Sequence, residues 1–255
     1  MSNKPIVLAV AGKGGVGKTS LAAVMVKILV EKNPDKRILA IDADPAIGLS
    51  TALDVDVKLT VDDIRKEVVE NAEEGKVQAA VEALGEARYR IMDALVEKDG
   101  FSFIAIGRPE AAGCYCKINS YLKEVIGALS EHFDYIVIDG EAGIEQINRR
   151  VMERVTHLCL ITDSSKKGCG VINTIKEVAD NLVMYEKIGV IVNRVSDQSV
   201  MQYMDLGDLP LLSWIPADTA LTERDLKGES VFYMPTDAPL VEGTRKALKE
   251  MGVIE

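Results

Sequence analysis

The sequence predicts an α/β fold with a mostly parallel central sheet of about seven or eight strands and helices on both faces. Short apolar runs rich in β-branched residues alternate with helical segments along the chain, which is the pattern of a covered parallel sheet. Most of these runs are continuously apolar, as strands buried on both faces are. Predicted strands lie at residues 6–10, 37–42, 101–106, 135–139, 158–162, 188–193 and 211–215.

The segments between these strands have helical character. The chain has 255 residues, of which 47% are hydrophobic, so it can bury a large core, and residues 1–255 are expected to form one domain. Residues 58–98 are charged and mostly helical, and we interpret them as an insertion between two strands. Predicted helices lie at residues 21–30, 61–73, 77–84, 118–130, 146–151, 170–184, 217–227 and 239–251.

Charge and composition exclude several classes of function. The formal net charge of −10 argues against nonspecific binding to nucleic acid or anionic lipid. No stretch approaches the roughly 18 continuous apolar residues of a membrane span, and the polar residues 2–5 do not resemble a secretory signal. The four cysteines of such a chain are more often thiols or metal ligands than disulfides. We therefore expect a cytoplasmic protein that binds neither nucleic acid nor a membrane.

A phosphate-binding loop follows the first predicted strand. Gly12, four residues, and then Gly17-Lys18-Thr19 form the P-loop pattern between a buried strand and a helix. In that context backbone N–H groups and the helix dipole converge on phosphates, whereas the alternative is a glycine turn between core elements. The loop predicts a nucleotide site with Lys18 as a catalytic residue, and its predicted members are Gly12, Lys13, Gly14, Gly15, Val16, Gly17, Lys18, Thr19 and Ser20.

Acidic residues end two other predicted strands, at the edge where open α/β sheets bind ligands. Asp42 and Asp44 are separated by one residue, so one carboxylate can hold a Mg²⁺-bound water and the other can orient an attacking water. Asp139 ends an apolar run and would assist Mg²⁺ through water, beside Thr19 as the direct ligand. The alternatives are a surface charge pair and an acid that merely ends a strand.

The loop sequence KGGVGKT resembles the deviant Walker A motif of the MinD, ParA and nitrogenase-iron-protein ATPases. In that class the first lysine, here Lys13, reaches across a dimer interface to the partner's phosphates. The resemblance therefore implies a nucleotide-dependent homodimer in which Lys13 is catalytic. It also implies that Asp42 takes the Mg²⁺ side and that Asp44 orients the hydrolytic water. The alternative for Lys13 is a solvated loop lysine.

Adenine contacts are implied by the same resemblance. In nitrogenase-type ATPases an asparagine after a strand and a Pro-x-Asp loop bracket the adenine. The matching residues here are Asn193 with Arg194, and Pro216-Ala217-Asp218. Asn193 has the donor and the acceptor that pairing with an adenine edge needs, although a turn residue at the end of a strand is the alternative.

A pair of cysteines predicts a site for a soft metal. Cys114 and Cys116 are separated by one residue, so both thiolates can turn toward a single ion. A disulfide between them would close a small, strained ring. A closed thiolate site has about four ligands, and a dimer would supply the two that one chain lacks. We predict a soft-metal site of four sulfur ligands shared by two chains, with two incidental loop thiols as the alternative.

These motifs together resemble the CooC family, the accessory ATPases that insert nickel into carbon monoxide dehydrogenase. The resemblance rests on the P-loop, residues 107–110 (GRPE), residues 114–116 (CYC) and residues 141–145 (EAGIE). It covers nearly the whole chain, although the insertion at 58–98 contributes no motif. It implies ATP hydrolysis coupled to dimer formation, nickel or zinc at the cysteines, and carbon monoxide dehydrogenase or the related acetyl-CoA synthase as the client.

Two other classes stay open. An electron carrier like the nitrogenase iron protein would hold a [4Fe-4S] cluster, but that family's ligands lie on well-separated segments. A positioning ATPase of the MinD or ParA type is the other, and residues 244–255 lack the basic amphipathic extension of a membrane switch. Cys159 and Cys169 are expected to be structural, because Cys159 lies in an apolar run and Cys169 has no ligand nearby in sequence.

Overall fold

The structure is a computed structural model that describes residues 4–73, 77–108, 116–140, 151, 154–182 and 185–255. Within these residues, one sheet of eight strands forms the centre of the molecule. The strands are β1 (Ile6–Gly12), β2 (Ile38–Asp42), β3 (Val96–Lys98), β4 (Phe101–Ala105), β5 (Tyr135–Asp139), β6 (His157–Thr162), β7 (Lys187–Val195) and β8 (Leu211–Pro216).

The strand order is β3-β4-β2-β5-β1-β6-β7-β8. Every neighbouring pair is parallel except β3 with β4, which is antiparallel. The predicted α/β class with a mostly parallel sheet is thus confirmed. Sequence analysis missed β3, because three half-exposed residues at the edge of a sheet show no apolar run.

Helices cover both faces of the sheet, as predicted. The α-helices are α1 (Lys18–Lys32), α2 (Gly48–Ala52), α3 (Val61–Glu73), α4 (Val77–Asp93), α5 (Cys116–Ser130), α6 (Lys166–Leu182), α7 (Thr219–Lys227) and α8 (Pro239–Glu250). Short 3₁₀ helices span Gln198–Tyr203 and Val231–Tyr233. The prediction for α4 ended nine residues too early, at 84 rather than 93, and α2 was not predicted. The predicted helix at 146–151 falls almost entirely outside the described residues.

Alternate residues of β1 pack into two separate cores, because successive side chains of a strand point to opposite faces. Leu8 and Val10 join the core beneath α1 and α8, whereas Ala9 joins the core beneath α3, α5 and α6. Helix α1 is buried on nearly every side because it lies between the sheet and α8. The insertion contributes α3, α4 and β3 to this arrangement, and the single domain over residues 1–255 stays a prediction.

Candidate nucleotide site

The loop between β1 and α1 has a backbone that requires glycine. Gly12 has φ 151° and Gly17 has φ 90°, both in the range that favours glycine. A Cβ atom on Gly12 would lie 2.0 Å from the carbonyl oxygen of Ile161 in β6, so no larger residue fits there. A Cβ atom on Gly14 would meet nothing within 4 Å. The loop is therefore anchored at its start and leaves its middle open to a ligand.

Helix α1 begins immediately after this loop. Its N-cap residue is Gly17, and no side chain caps its first turn, so backbone N–H groups stay available for phosphate oxygens. Lys18 is buried, and its Nζ donates to the carbonyl oxygen of Lys13 at 3.3 Å, which bends the lysine back along the loop. This geometry is that of a phosphate-binding loop.

The sheet register brings the predicted magnesium ligands together. Strand β5 lies between β2 and β1, and its Asp139 pairs with Asp42 on one side and with Val10 on the other. Asp42 accepts hydrogen bonds from the backbone N–H groups of Asp44 at 3.1 Å and Leu49 at 2.8 Å. Both oxygens of Asp139 are buried, and among the described residues neither accepts a hydrogen bond of good geometry, although the Thr19 hydroxyl is close enough to lower the pKa of Asp139. Two buried carboxylates thus meet at the end of the P-loop strand.

Burial disfavours the charged form of both carboxylates. Burial raises the pKa of Asp42 to about 6, although the N–H groups of Leu49 and Asp44 oppose the rise. Burial raises the pKa of Asp139 to about 7, the Thr19 hydroxyl opposes the rise, and the negative charge of Asp42 adds to it. Two adjacent buried carboxylates with few hydrogen-bond donors suit a hard cation with oxygen ligands. Thr19, Asp42 and Asp139 therefore fit a nucleotide-bound Mg²⁺.

Asp44 lies in the loop after β2, two residues beyond Asp42, and is half-buried. Its Oδ1 accepts a hydrogen bond from the backbone N–H of Ala46 at 2.8 Å, which fixes the carboxylate and leaves its other oxygen for a water. The same loop continues into α2, whose Gly48 packs on the Thr19 side chain. The residues predicted to act on Mg²⁺ and on the hydrolytic water are adjacent in the structure.

Lys13 contacts residues that sequence analysis did not single out. Its Nζ donates to Asp163 Oδ2 at 2.6 Å and to Ser165 Oγ at 3.4 Å. Asp163 directly follows β6, and Ile161 of that strand pairs with Gly12. The only sequence signal was an acid at the end of a strand, the same signal that identified Asp42 and Asp139.

The predicted adenine residues lie together, but Asn193 contacts the P-loop. Its Nδ2 donates to the carbonyl oxygen of Val16 at 2.8 Å, and its Oδ1 accepts from the backbone N–H of Arg194 at 2.9 Å. Arg194 has φ 58°, and its Nη1 donates to the carbonyl oxygen of Gly15 at 2.8 Å. Both side chains therefore donate hydrogen bonds to carbonyl oxygens of the P-loop and stabilise it, a role that sequence analysis missed.

The second predicted adenine segment lies beside the first. Ala217 N–H donates to the carbonyl oxygen of Val195 at 3.0 Å, and Pro216 pairs with Val195. Asp218 accepts from the backbone N–H of Ala220 at 2.9 Å at the start of α7. An adenine contact by Asn193, Arg194 or residues 216–218 stays a prediction.

The cysteine motif falls mostly outside the described residues. Cys114 and residues 109, 110 and 141–145 lie outside them, and the backbone of Cys116 begins α5. Within the described part of the chain, no group of three or more His, Cys, Asp or Glu residues is arranged to hold a metal ion. The nickel or zinc site stays a prediction.

The other two cysteines are buried free thiols. Cys159 donates to the sulfur of Met251 at 3.3 Å, and burial raises the pKa of its thiol to about 12. Burial also raises the pKa of the Cys169 thiol. Raised values disfavour the thiolate, which is the ligating and nucleophilic form, so the expected structural roles agree with the structure.

A strand, a glycine loop at an uncapped helix N-terminus, a buried lysine and two buried aspartates define a P-loop nucleotide-binding domain. Residues 7–231 match the CobQ/CobB/MinD/ParA nucleotide binding domain, and the chain belongs to this family. The predicted P-loop ATPase class is thereby confirmed. Within the described residues, no helix is long and apolar enough to cross a membrane.

Three proteins are similar to this chain along most of its length. An uncharacterized ATP-binding protein of Methanocaldococcus jannaschii is 36% identical over 234 residues, 90% of this chain and 92% of that protein. The carbon monoxide dehydrogenase accessory protein CooC of Rhodospirillum rubrum is 25% identical over 235 residues, 88% and 89% of the two chains. The septum site-determining protein MinD of Pyrococcus horikoshii, complexed with Mg-ADP, shares the fold with a TM-score of 0.67, 22% identity and coverage of 97% and 96%.

Proposed function

We propose that this protein is an ATP-hydrolysing metallochaperone that dimerises with nucleotide and inserts nickel into carbon monoxide dehydrogenase or the related acetyl-CoA synthase. One observation carries the proposal. The backbone N–H of Ile106 donates to the carbonyl oxygen of Asp42 at 2.8 Å, so the strand that leads to the cysteines is bonded to a candidate magnesium ligand. The segment that carries Cys114 and Cys116 in the sequence therefore starts from a strand that is bonded to Asp42.

The nucleotide half of the proposal follows from the P-loop edge of the sheet. Lys18 and the open N-terminus of α1 bind the phosphates, while Thr19, Asp42 and Asp139 hold Mg²⁺. The bound Mg²⁺ supplies charge neutralisation on the transferring phosphoryl group. Asp44 orients the attacking water. The MinD structure solved with Mg-ADP, which shares this fold, is consistent with Mg²⁺ as the partner of the nucleotide.

Dimerisation completes both sites. Lys13 of each chain enters the partner's phosphate site, where a second cation stabilises the charge of the transition state. Closure brings together Cys114 and Cys116 from both chains, and four thiolates then surround one nickel or zinc ion. The ion is cargo, and hydrolysis opens the dimer for its release to the client. The similarity to CooC along 88% of the chain supports this cargo over others.

The backbone around the cysteine segment supports coupling between the two sites. Beyond Ile106, Gly107 has φ 84°, and a Cβ atom there would lie 2.6 Å from Thr60 Oγ1. Asp62 N–H donates to the carbonyl oxygen of Ile106 at 2.9 Å. The start of the cysteine segment is therefore held between β2 and α3, so that a shift of Asp42 on nucleotide binding is transmitted to it.

The proposal is tested by measuring metal content and oligomeric state together, with and without ATP. We expect one nickel or zinc ion per two chains, and we expect Cys114→Ser and Cys116→Ser to lose it. Cys169→Ala is the matched control, because it removes a thiol outside the motif and should leave the metal content unchanged. Retention of the metal in both serine variants would contradict the proposal. A visible absorption band with bound iron and sulfide would instead favour an electron carrier.

A positioning ATPase of the MinD or ParA type is the second candidate. The observation in its favour is the fold, since the Pyrococcus horikoshii MinD aligns with 97% of this chain. Such a protein would bind a lipid surface or DNA in its ATP-bound form. Co-sedimentation with anionic vesicles or with duplex DNA, with and without ATP, separates the candidates, because the metallochaperone should stay in the supernatant in each case.

A further inference from the structure

Lys13 makes contacts within its own chain that compete with its proposed role. Its Nζ lies 2.6 Å from Asp163 Oδ2 and 3.4 Å from Ser165 Oγ. The proposed function requires the same ammonium group to reach the phosphates of a second chain. One cation cannot occupy both positions, so the contact with Asp163 must break when the dimer closes.

Asp163 is held in place independently of Lys13. Its Oδ1 accepts hydrogen bonds from the backbone N–H of Ser165 at 3.1 Å and from the Ser165 hydroxyl, so Oδ2 stays available for the lysine. Ser165 Oγ in turn accepts from Gly168 N–H at 3.0 Å in the first turn of α6. Although burial raises the pKa of Asp163, the hydrogen bonds from Lys13 and Ser165 outweigh it and hold that pKa below its ordinary value. The carboxylate is thus a preformed, ionised acceptor.

Within the described residues, Asp163 and Ser165 are the hydrogen-bond partners of the Lys13 ammonium group. The neighbouring Gly14 is exposed, and a Cβ atom on it would meet nothing within 4 Å. The pairing of Gly12 with Ile161 places Asp163 two residues beyond the last paired position, directly beside the loop. The sheet therefore brings the acceptor to Lys13, and the ion pair determines where the ammonium group lies.

We propose that Asp163 is a positioning residue that holds Lys13 within its own chain until a nucleotide-bound second chain competes for the ammonium group. The inference rests on the proposed function, which assigns Lys13 to the partner's phosphates. The two side chains are 25% and 29% exposed, so solvent screens the pair. A screened pair of this kind opposes dimerisation by about two- to fivefold, which phosphate oxygens readily overcome.

The first test is Asp163→Asn. The asparagine Oδ1 still accepts from Ser165, while an NH₂ group replaces the oxygen that faces Lys13. With Mg²⁺ and a non-hydrolysable ATP analogue, we expect half-maximal dimerisation at about two- to fivefold lower protein concentration than in the wild type, measured by sedimentation velocity. Asp197→Asn is the matched control, because Asp197 Oδ1 accepts from Ser199 N–H at 2.7 Å and has no salt bridge within the described part of the chain.

The second test needs no dimer. Acetylation of Lys13 in the nucleotide-free protein, followed by mass spectrometry, reports how firmly the ammonium group is held. We expect acetylation to be about two- to fivefold faster in Asp163→Asn and unchanged in Asp197→Asn. In the wild type, raising the salt from about 0.05 M to about 0.5 M should speed acetylation, because salt screens the pair. This salt series keeps the inference testable even where the variant is unstable.

The outcomes separate the inference from the proposed function. Faster acetylation together with easier dimerisation supports the inference. Acetylation of Lys13 that is unchanged in Asp163→Asn and across the salt series overturns the inference. If the wild type dimerises, faster acetylation in Asp163→Asn without easier dimerisation of that variant overturns it as well. A wild type that stays monomeric with every nucleotide contradicts the proposed function, and the inference falls with it.

Discussion

The nucleotide edge of the sheet has two halves that differ in how their buried polar groups are satisfied. The phosphate half comprises the ends of β1, β2 and β5. The ends of β7 and β8, which carry the predicted adenine residues, are called the base half. In the phosphate half, both oxygens of Asp139 are buried and accept no hydrogen bond of good geometry among the described residues. In the base half, the Asn193 amide donates to Val16 and accepts from Arg194. The first half has a buried carboxylate that a cation would satisfy, whereas the second supports the loop.

This difference indicates which half of the edge is suited to a cation. A buried polar group without a partner costs free energy, and native proteins keep few of them. Its persistence at Asp139 indicates that a cation completes the site. A buried amide with protein partners needs no such completion, so residue type alone does not make Asn193 a base-reading residue.

The largest expected effect separates chemistry from binding in the phosphate half. Asp44→Asn should lower ATP hydrolysis by about 10²- to 10⁴-fold, because the residue that orients the water loses its charge. Nucleotide binding should persist and the ATP-bound dimer should accumulate, as measured by phosphate release and light scattering. Asp205→Asn is the control, since Asp205 Oδ1 accepts from Gly207 N–H at 3.0 Å in a similar turn. A monomer in the presence of ATP would refute the assignment of Asp44.

The next effect tests whether Asp139 lacks a partner. Its pKa is raised to about 7 from 3.8, so the folded protein loses stability as the pH rises through this window. Without Mg²⁺ at pH 8, Asp139→Asn should therefore raise the free energy of unfolding by about 2–4 kcal/mol, and the gain should shrink as the pH falls to about 4. Urea denaturation in EDTA measures both.

Asp42 is the internal reference for that experiment. Its pKa is raised only to about 6, because Leu49 and Asp44 donate to it. Asp42→Asn should therefore give a smaller gain than Asp139→Asn under the same conditions. In saturating Mg²⁺ and ADP both variants should instead be less stable than the wild type, since each has lost a group that holds the ion. An Asp139→Asn protein with unchanged stability at pH 8 would remove the contrast between the two halves.

The smallest expected effect tests the base half. Asn193→Ala leaves the Val16 carbonyl without its donor, which should cost about 1–3 kcal/mol of stability. Affinity for ATP and for GTP should fall by the same factor, because the loop and not the base is disturbed. Asn181→Ala is the control, since the exposed Asn181 donates to Glu177 O at 2.7 Å far from the loop. A loss confined to ATP, measured by calorimetry, would instead establish an adenine contact.

The sequence predicted the buried strands well because their signal is local. Continuous apolar runs identify β1 and β5, and acids at strand ends identify Asp42 and Asp139 without any structure. The short elements were missed, because β3 has three residues and α2 has five, too few for a periodic pattern. Ile47, which precedes α2 with φ 51°, adds a backbone conformation that no propensity favours in a β-branched residue.

The partners of loop residues could not be predicted, because they arise from pairing between distant strands. Lys13 and Asp163 are 150 residues apart, and Val16 and Asn193 are 177 apart. Only the order β1-β6-β7 brings them together. The sequence therefore identifies which groups carry the chemistry, while the sheet decides which of them are already paired.

The bond between Ile106 N–H and the Asp42 carbonyl has a consequence for how this site can change. The bond joins two backbone groups, so every residue except proline can preserve it at position 106. Under the proposed function, side chains in the segment that follows could change with the cargo while this hydrogen bond to the phosphate site is kept. The proposed cargo specificity could then diverge without loss of the connection to Asp42, because that connection depends on backbone atoms alone.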